Sequence, residues 1–265
     1  MFRAFQLSGL AGLSEPIPDL YSSASEKEEE TAAAVVKDLR ELLRPDGEVD
    51  ASLIQNLWFP QVQVDVFISH SHKDQTQALN LAGFLYKAFG IRTFVDSSVW
   101  KIGDELLREI DNMFCRNDDD TTYSYVKRNG TTAHVHMMLT AALSKMLDRT
   151  ECVVFLNTPN SITPRASSRN TNSSWIYLEL ALIDVLQTRE PKRPLAKSLV
   201  EGTLSRGVEK RADFKPFYPV SMSRLRALAL DHVFEWARAW TEIVRQSEDA
   251  RIHPLDVLYW LTGVR

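Results

Sequence analysis

The sequence predicts an α/β chain in which a parallel sheet carries helices on both faces. Three runs rich in β-branched and aromatic residues, Val64 to Ile68, Ile91 to Val95 and Cys152 to Leu156, have the length of buried strands. Longer stretches with apolar residues at helical spacing separate and follow them. Strand and helix therefore alternate, the pattern that builds parallel sheets.

Taken in order, residues 1–24, with Pro16, Pro18 and a Ser-rich run, are expected to be a mobile lead-in. Ser25-x-x-Glu28 has the form of a capping box, and Glu28, Glu29 and Glu30 suit the positive end of a helix dipole. Ala32, Val35, Val36, Leu39, Leu42 and Leu43 continue it as an amphipathic helix over about residues 25–44, stopped by Pro45-Asp46-Gly47. Residues 51–60 are a short apolar piece ending at Pro60, so residues 1–61 are read as an extension and 62–265 as the main domain.

After the first predicted strand, Ala78, Leu81, Ala82, Leu85, Ala88 and Phe89 form a helical stripe that Gly90 ends. Asp96 closes the second strand, a loop follows, and Leu106, Leu107, Ile110, Met113 and Phe114 mark a short helix. Polar residues 116–133, with Asp118-Asp119-Asp120 and Asn129-Gly130, are read as an inserted loop or hairpin. The acidic triplet is taken as solvated loop rather than a cation site. Val135, Met138, Leu139, Ala142, Leu143 and Met146 make the next stripe.

Residues 157–174 are expected to be a polar loop, and Trp175, Leu178, Leu182, Val185 and Leu186 a helix. Residues 188–216 are rich in Lys, Arg and Pro and poorly periodic. Residues 217–220 are read as a fourth strand and 223–246 as a long helix with Trp236, Trp240 and Ile243 inward. A short helix from Pro254 to Gly263 closes the chain.

The 265 residues carry a formal net charge of −4, which offers no global field to hold nucleic acid. No stretch approaches the roughly 20 apolar residues of a spanning helix, and the N-terminal segment lacks signal-peptide form. The expectation is a cytoplasmic protein with neither nucleic acid nor membrane as partner. The two cysteines, Cys115 and Cys152, form no CxxC pair and are read as reduced thiols. His70 and His72 with His134 and His136 invite a zinc reading. An alternating His-x-His pair points in two directions and no cysteine accompanies it, so no metal is expected.

Ligands of open parallel sheets bind at the carboxyl ends of the strands. Residues 69–74, 96–104 and 157–174 gather there, bringing hydroxyls, imidazoles, indoles and carboxylates. No GxGxxG, Walker or GxSxG motif is present, which argues against an ordinary dehydrogenase, a P-loop NTPase and an α/β-hydrolase. Trp175 and Glu179, four residues apart, share one helix face. Glu179 beside the apolar Leu178 and Leu182 is either a functional carboxylate or an edge residue paired with a nearby base.

Three segments together resemble the TIR (Toll/interleukin receptor) domain family. Asp65-Val66-Phe67-Ile68-Ser69-His70-Ser71-His72-Lys73-Asp74 is similar to the family's first signature. Gly90 to Asp96 and Trp100-Lys101-Ile102-Gly103-Asp104 look like its second strand and following loop. Ser174-Trp175-Ile176-Tyr177-Leu178-Glu179-Leu180 looks like its third signature. The likeness covers residues 62–187. The long 116–133 segment, the His-Ser-His after the first strand and the basic segment after residue 187 depart from the pattern.

The resemblance implies a flavodoxin-like sheet and one of two functions. One is cleavage of NAD at the nicotinamide–ribose bond, with NAD as substrate, no further cofactor, and Glu179 at the catalytic position. Stand-alone bacterial members of this kind act in antiphage defence and make a cyclic or conjugated ADP-ribose signal for a separate effector. The other is a scaffold that signals by self-association. Substrate binding would fall to Ser69, His70, Ser71, His72, Asp96, Trp100, Gly103 and Trp175. Trp175 is equally compatible with the core, Trp100 with an oligomer contact, Gly103 with loop geometry and Asp96 with capping its loop. A glycosidase acting on another nucleotide is a third reading.

Overall fold

A computed structural model describes residues 1–10, 48, 50–53, 63–95, 97–118, 121–165, 168–191, 193, 218–246 and 252–263. The helix expected over residues 25–44 lies outside the described residues, as does nearly all of the basic segment. Eight strands are described: β1 Arg3–Ser8, β2 Val66–Ser69, β3 Thr93–Val95, β4 Cys152–Leu156, β5 Thr163–Arg165, β6 Ser168–Thr171, β7 Tyr218–Pro219 and β8 Leu225–Ala229. The helices are α1 Gln75–Phe89, α2 Ser97–Phe114, α3 Tyr125–Arg149, α4 Ser174–Val185, α5 Leu230–Gln246 and α6 Pro254–Leu261, with a 3-10 turn at His72–Asp74. No described helix is long and apolar enough to cross a membrane.

The chain divides into two compact units. The first comprises Met1–Ile17, Gln63–Val95 and Leu147–Arg265, and the second Pro18–Val62 and Asp96–Met146. In the first, β3-β2-β4-β1-β8 form a five-stranded sheet in which every pair is parallel. This is the α/β, flavodoxin-like arrangement, with helices on both faces. The run β3-β2-β4 is the opening of the flavodoxin strand order. The position beside β4 belongs to β1, the N-terminal strand.

Residues 3–8 are thus not a lead-in but an inner strand, paired with β4 on one side and β8 on the other. Polar Gln6 and Ser8 hide this in the sequence. Gln6 is 5% exposed, so the strand tolerates it by giving its side chain hydrogen-bond partners in Asn157 and Arg169. The expected strand at 217–220 shrinks to β7, which joins β5 and β6 in a small antiparallel sheet. The fifth parallel strand is β8, inside the stretch expected to be helical.

Alternation along the strands sorts the two faces. Phe5, Leu7, Val66, Ile68, Val154 and Leu156 pack against α1, α5 and α6. The stacked rings of Phe89 and Trp236, 3.9 Å apart at 20°, and Tyr259 under Phe5 fill this layer. Gly90, at φ 68°, ends α1 in the left-handed conformation that glycine adopts without strain. The opposite face presents Phe67, Val153, Phe155, Gln6 and Ser69, all buried.

A network of charges joins the amino edge of this sheet to α6. Arg193 donates to both carboxylate oxygens of Glu151 at 2.7 and 2.8 Å and to both of Asp256 at 2.8 and 2.9 Å. Tyr259 adds a bond to Glu151 at 2.9 Å. The two carboxylates hold the Arg193 proton more firmly than usual against the opposing effect of burial, and burial pushes the Tyr259 hydroxyl up. Cys115 and Cys152 are free and buried, and burial raises the Cys152 thiol.

In the second unit, Leu106 of α2 is buried, as are Val135, Leu139, Ala142, Leu143 and Met146 of α3. The helix α2 begins at Ser97, so most of the loop expected before residue 105 is helical. The expected 116–133 loop is real only to residue 124, where Arg116 and Tyr123 form a β-bridge. Asn129 and Gly130 lie inside α3 rather than in a turn. Buried Asp111 explains this, because it accepts from Arg128 Nε at 2.7 Å and Thr131 Oγ1 at 2.8 Å. Residues three apart reach one carboxylate when they lie on a helix. Asp118 is exposed, and Asp119 and Asp120 lie outside the described residues.

Candidate active site

Three sets of hydrogen-bonded polar groups lie at the carboxyl edge of the parallel sheet. Ser69, the last residue of β2, is fully buried. Its hydroxyl donates to Glu179 Oε2 at 2.5 Å. Glu179 comes from α4, whose start is set by Ser173: this N-cap hydroxyl accepts from Ile176 N at 3.3 Å. Ile176, Glu179, Leu180 and Ile183 recur at helical spacing and form the buried side of α4. Glu179 therefore lies among apolar side chains on a helix face, with no exposed surface. A carboxylate so placed is costly unless polar groups receive it, and Ser69 is one.

The loop after β2 turns at once. His70 is buried, Ser71 half-buried and His72 exposed. Ser71 caps the 3-10 turn without a side-chain bond. Buried Asp74 then accepts from Thr158 Oγ1 at 2.5 Å and from Asn160 Nδ2 at 2.7 Å. Ser161 anchors the same loop by donating to Leu156 O at 2.7 Å. Asp74 thus ties the start of α1 to the turn after β4.

A second polar pair comes from β1. Gln6 Oε1 accepts from Asn157 Nδ2 at 3.0 Å and from Arg169 Nη1 at 3.1 Å. Asp74, Asn157 and Arg169 fall in segments expected at this edge without being singled out there, and Gln6 falls in the stretch read as a lead-in. The one available signal was a glutamine inside the apolar Phe2 to Leu7 run.

Of the residues expected at a site, Ser69 and Glu179 are brought into contact, with His70 and Ser71 following on the same loop. Trp175 is half-buried, one turn before Glu179. Asp96 and the side chain of Trp100 lie outside the described residues. Gly103, expected to serve loop geometry, is instead inside α2. A Cβ there would come within 3.0 Å of Leu139 Cδ1, so close packing of α2 on α3 is what favours glycine. His134 and His136 are exposed on α3, and no three metal-ligating groups converge among the described residues.

Comparison with protein-family models, with curated proteins and with solved structures gives no match.

Proposed function

We propose that the chain is a TIR-type enzyme that cleaves NAD at the nicotinamide–ribose bond, with Glu179 as the catalytic residue. The observation that carries this reading is a fully buried carboxylate held by the Ser69 hydroxyl at the carboxyl edge of a parallel sheet. Nicotinamide in NAD is already a pyridinium, so it departs neutral and takes the electron pair of the broken C1′–N bond. The ribosyl cation left behind needs stabilisation, as in glycoside cleavage. A carboxylate in a dry site supplies it and accepts bonds from the ribose hydroxyls. Substrate entry exchanges the Ser69 bond for those hydroxyls. Water or a hydroxyl of the same or another molecule then adds at C1′ and releases a proton.

In this reading the protein acts in the cytoplasm and associates with itself on activation. Its ADP-ribose-derived product informs a separate effector in antiviral defence. A second reading is an interaction module without catalysis. Tyr125 and Val126, 78% and 79% exposed at the start of α3, favour it, since large apolar side chains so exposed suit a contact surface.

The test is nicotinamide release from NAD by wild type and Glu179→Gln, at high protein concentration. Release by wild type that falls by about 100-fold or more in the mutant is expected. No release under any condition, with the two proteins indistinguishable, would replace the enzyme by the interaction module.

A further inference from the structure

The polar pair on β1 lies beside the carboxylate. Ser69 of β2 and Gln6 of β1 both align with Phe155 of β4, one on each side. Residues in one row of a parallel sheet point to the same face, and two strand spacings separate their Cα atoms by about 10 Å. Ser69 holds Glu179 and Gln6 holds Arg169, so a carboxylate and a guanidinium are anchored over one face, at one edge.

The partners of Arg169 matter. Nη1 donates to Gln6 Oε1 at 3.1 Å and contacts Met222 Sδ at 3.2 Å. Both are neutral, and no described acidic residue bonds this guanidinium. A neutral amide fixes the direction of a cation without cancelling its charge. Gln6, 5% exposed on an inner strand, is a rigid support for that purpose.

We infer that Arg169 binds the diphosphate of the dinucleotide whose ribose Glu179 receives, with Gln6 as the residue that positions it. This rests on the NAD-cleaving reading. In NAD the diphosphate hangs from C5′ of the same ribose whose C1′ bond breaks, so a ribose at Glu179 brings its diphosphate near. A carboxylate alone would repel that dianion. A guanidinium set along the edge attracts it and orients the substrate, nicotinamide end first. Arginine suits the task because its fork matches phosphate oxygens in pairs.

Arg169 could instead be a tie that fastens β6 to the sheet, and one substitution separates the two. Gln6→Glu keeps an acceptor for the guanidinium but neutralises it. The probe is inorganic pyrophosphate, titrated calorimetrically into the full chain, with melting temperatures recorded for each variant. Wild type binds. Arg169→Gln and Gln6→Glu weaken binding by about tenfold or more, while Arg169→Lys falls between. Absence of binding by wild type, or binding unaffected by Arg169→Gln and Gln6→Glu, overturns the inference. In turnover, Arg169→Gln raises KM for NAD about tenfold and leaves KM for nicotinamide riboside, which has no phosphate, unchanged. An equal loss on both substrates overturns it as well. Pyrophosphate binding that depends on Arg169, without NAD cleavage by wild type, keeps the anion site and overturns the cleavage reading.

Discussion

The two edges of the parallel sheet bury polar groups in opposite ways. At the amino edge, charge meets charge: Arg193 is clasped by Glu151 and Asp256, each through two bonds. At the carboxyl edge, neutral groups take part: the Ser69 hydroxyl donates to Glu179, and the Gln6 amide oxygen accepts from Arg169. A closed ion network has satisfied itself and serves assembly, here fastening residue 193 and α6 to the start of β4. A guanidinium held by a neutral amide keeps its field for a ligand. Loss of a residue at the amino edge should therefore cost stability, and at the carboxyl edge function.

Arg193→Met gives the largest expected effect on stability. It leaves two carboxylates facing each other with Asp256 only 2% exposed, and should lower unfolding free energy by about 3 kcal/mol in denaturant melts. Under the proposed function, NAD cleavage per folded molecule should persist. A loss of activity without a loss of stability would break the comparison.

Ser69→Ala, at the other edge, removes one donor from buried Glu179 and should cost about 1–3 kcal/mol. Under the proposed function, its stronger signature is kinetic, a change in nicotinamide release beyond what the unfolded fraction explains. Thermal melts run beside the activity assay separate the two contributions.

The smallest effect is a pH slope. His253 caps α6, its Nδ1 accepting from Leu255 N at 3.3 Å. Burial first, then the Arg193 charge, lowers its pKa, against the raising influence of Glu151, Asp65 and Asp256. The unfolded chain therefore takes up this proton more readily than the folded one. Stability from this group is complete above its unfolded value near 6.5 and declines as pH falls below it, by at most about 1.4 kcal/mol per pH unit. His253→Asn keeps a cap but cannot titrate, and should flatten the slope between about pH 7 and 5.5. An unchanged slope would show that other groups set it.

The elements legible in the sequence were those whose signal is local. Val66 to Ser69, Cys152 to Leu156 and α1 announce themselves through apolar runs, helical spacing and a terminal glycine. The strand β8 does the reverse. Leu225-Arg226-Ala227-Leu228-Ala229 is made of good helix formers, yet it is a strand because β1 offers it a ladder from Ala4 to Ser8. Asn129 and Gly130 misled in the other direction, since Asp111 draws their segment into a helix.

By itself the sequence determined the alternation of strand and helix, the parallel sheet it requires, and Ser69 and Glu179 as polar residues in the segments that follow strand ends at its carboxyl edge. Only the tertiary structure decided that these two touch, across 110 residues, and that Gln6 meets Arg169 across 163. Helical and strand periodicity arise between near neighbours and are written in the order of residues. A hydrogen bond between distant segments depends on which strand lies beside which, and for Gln6 that was settled by β1 taking its place between β4 and β8.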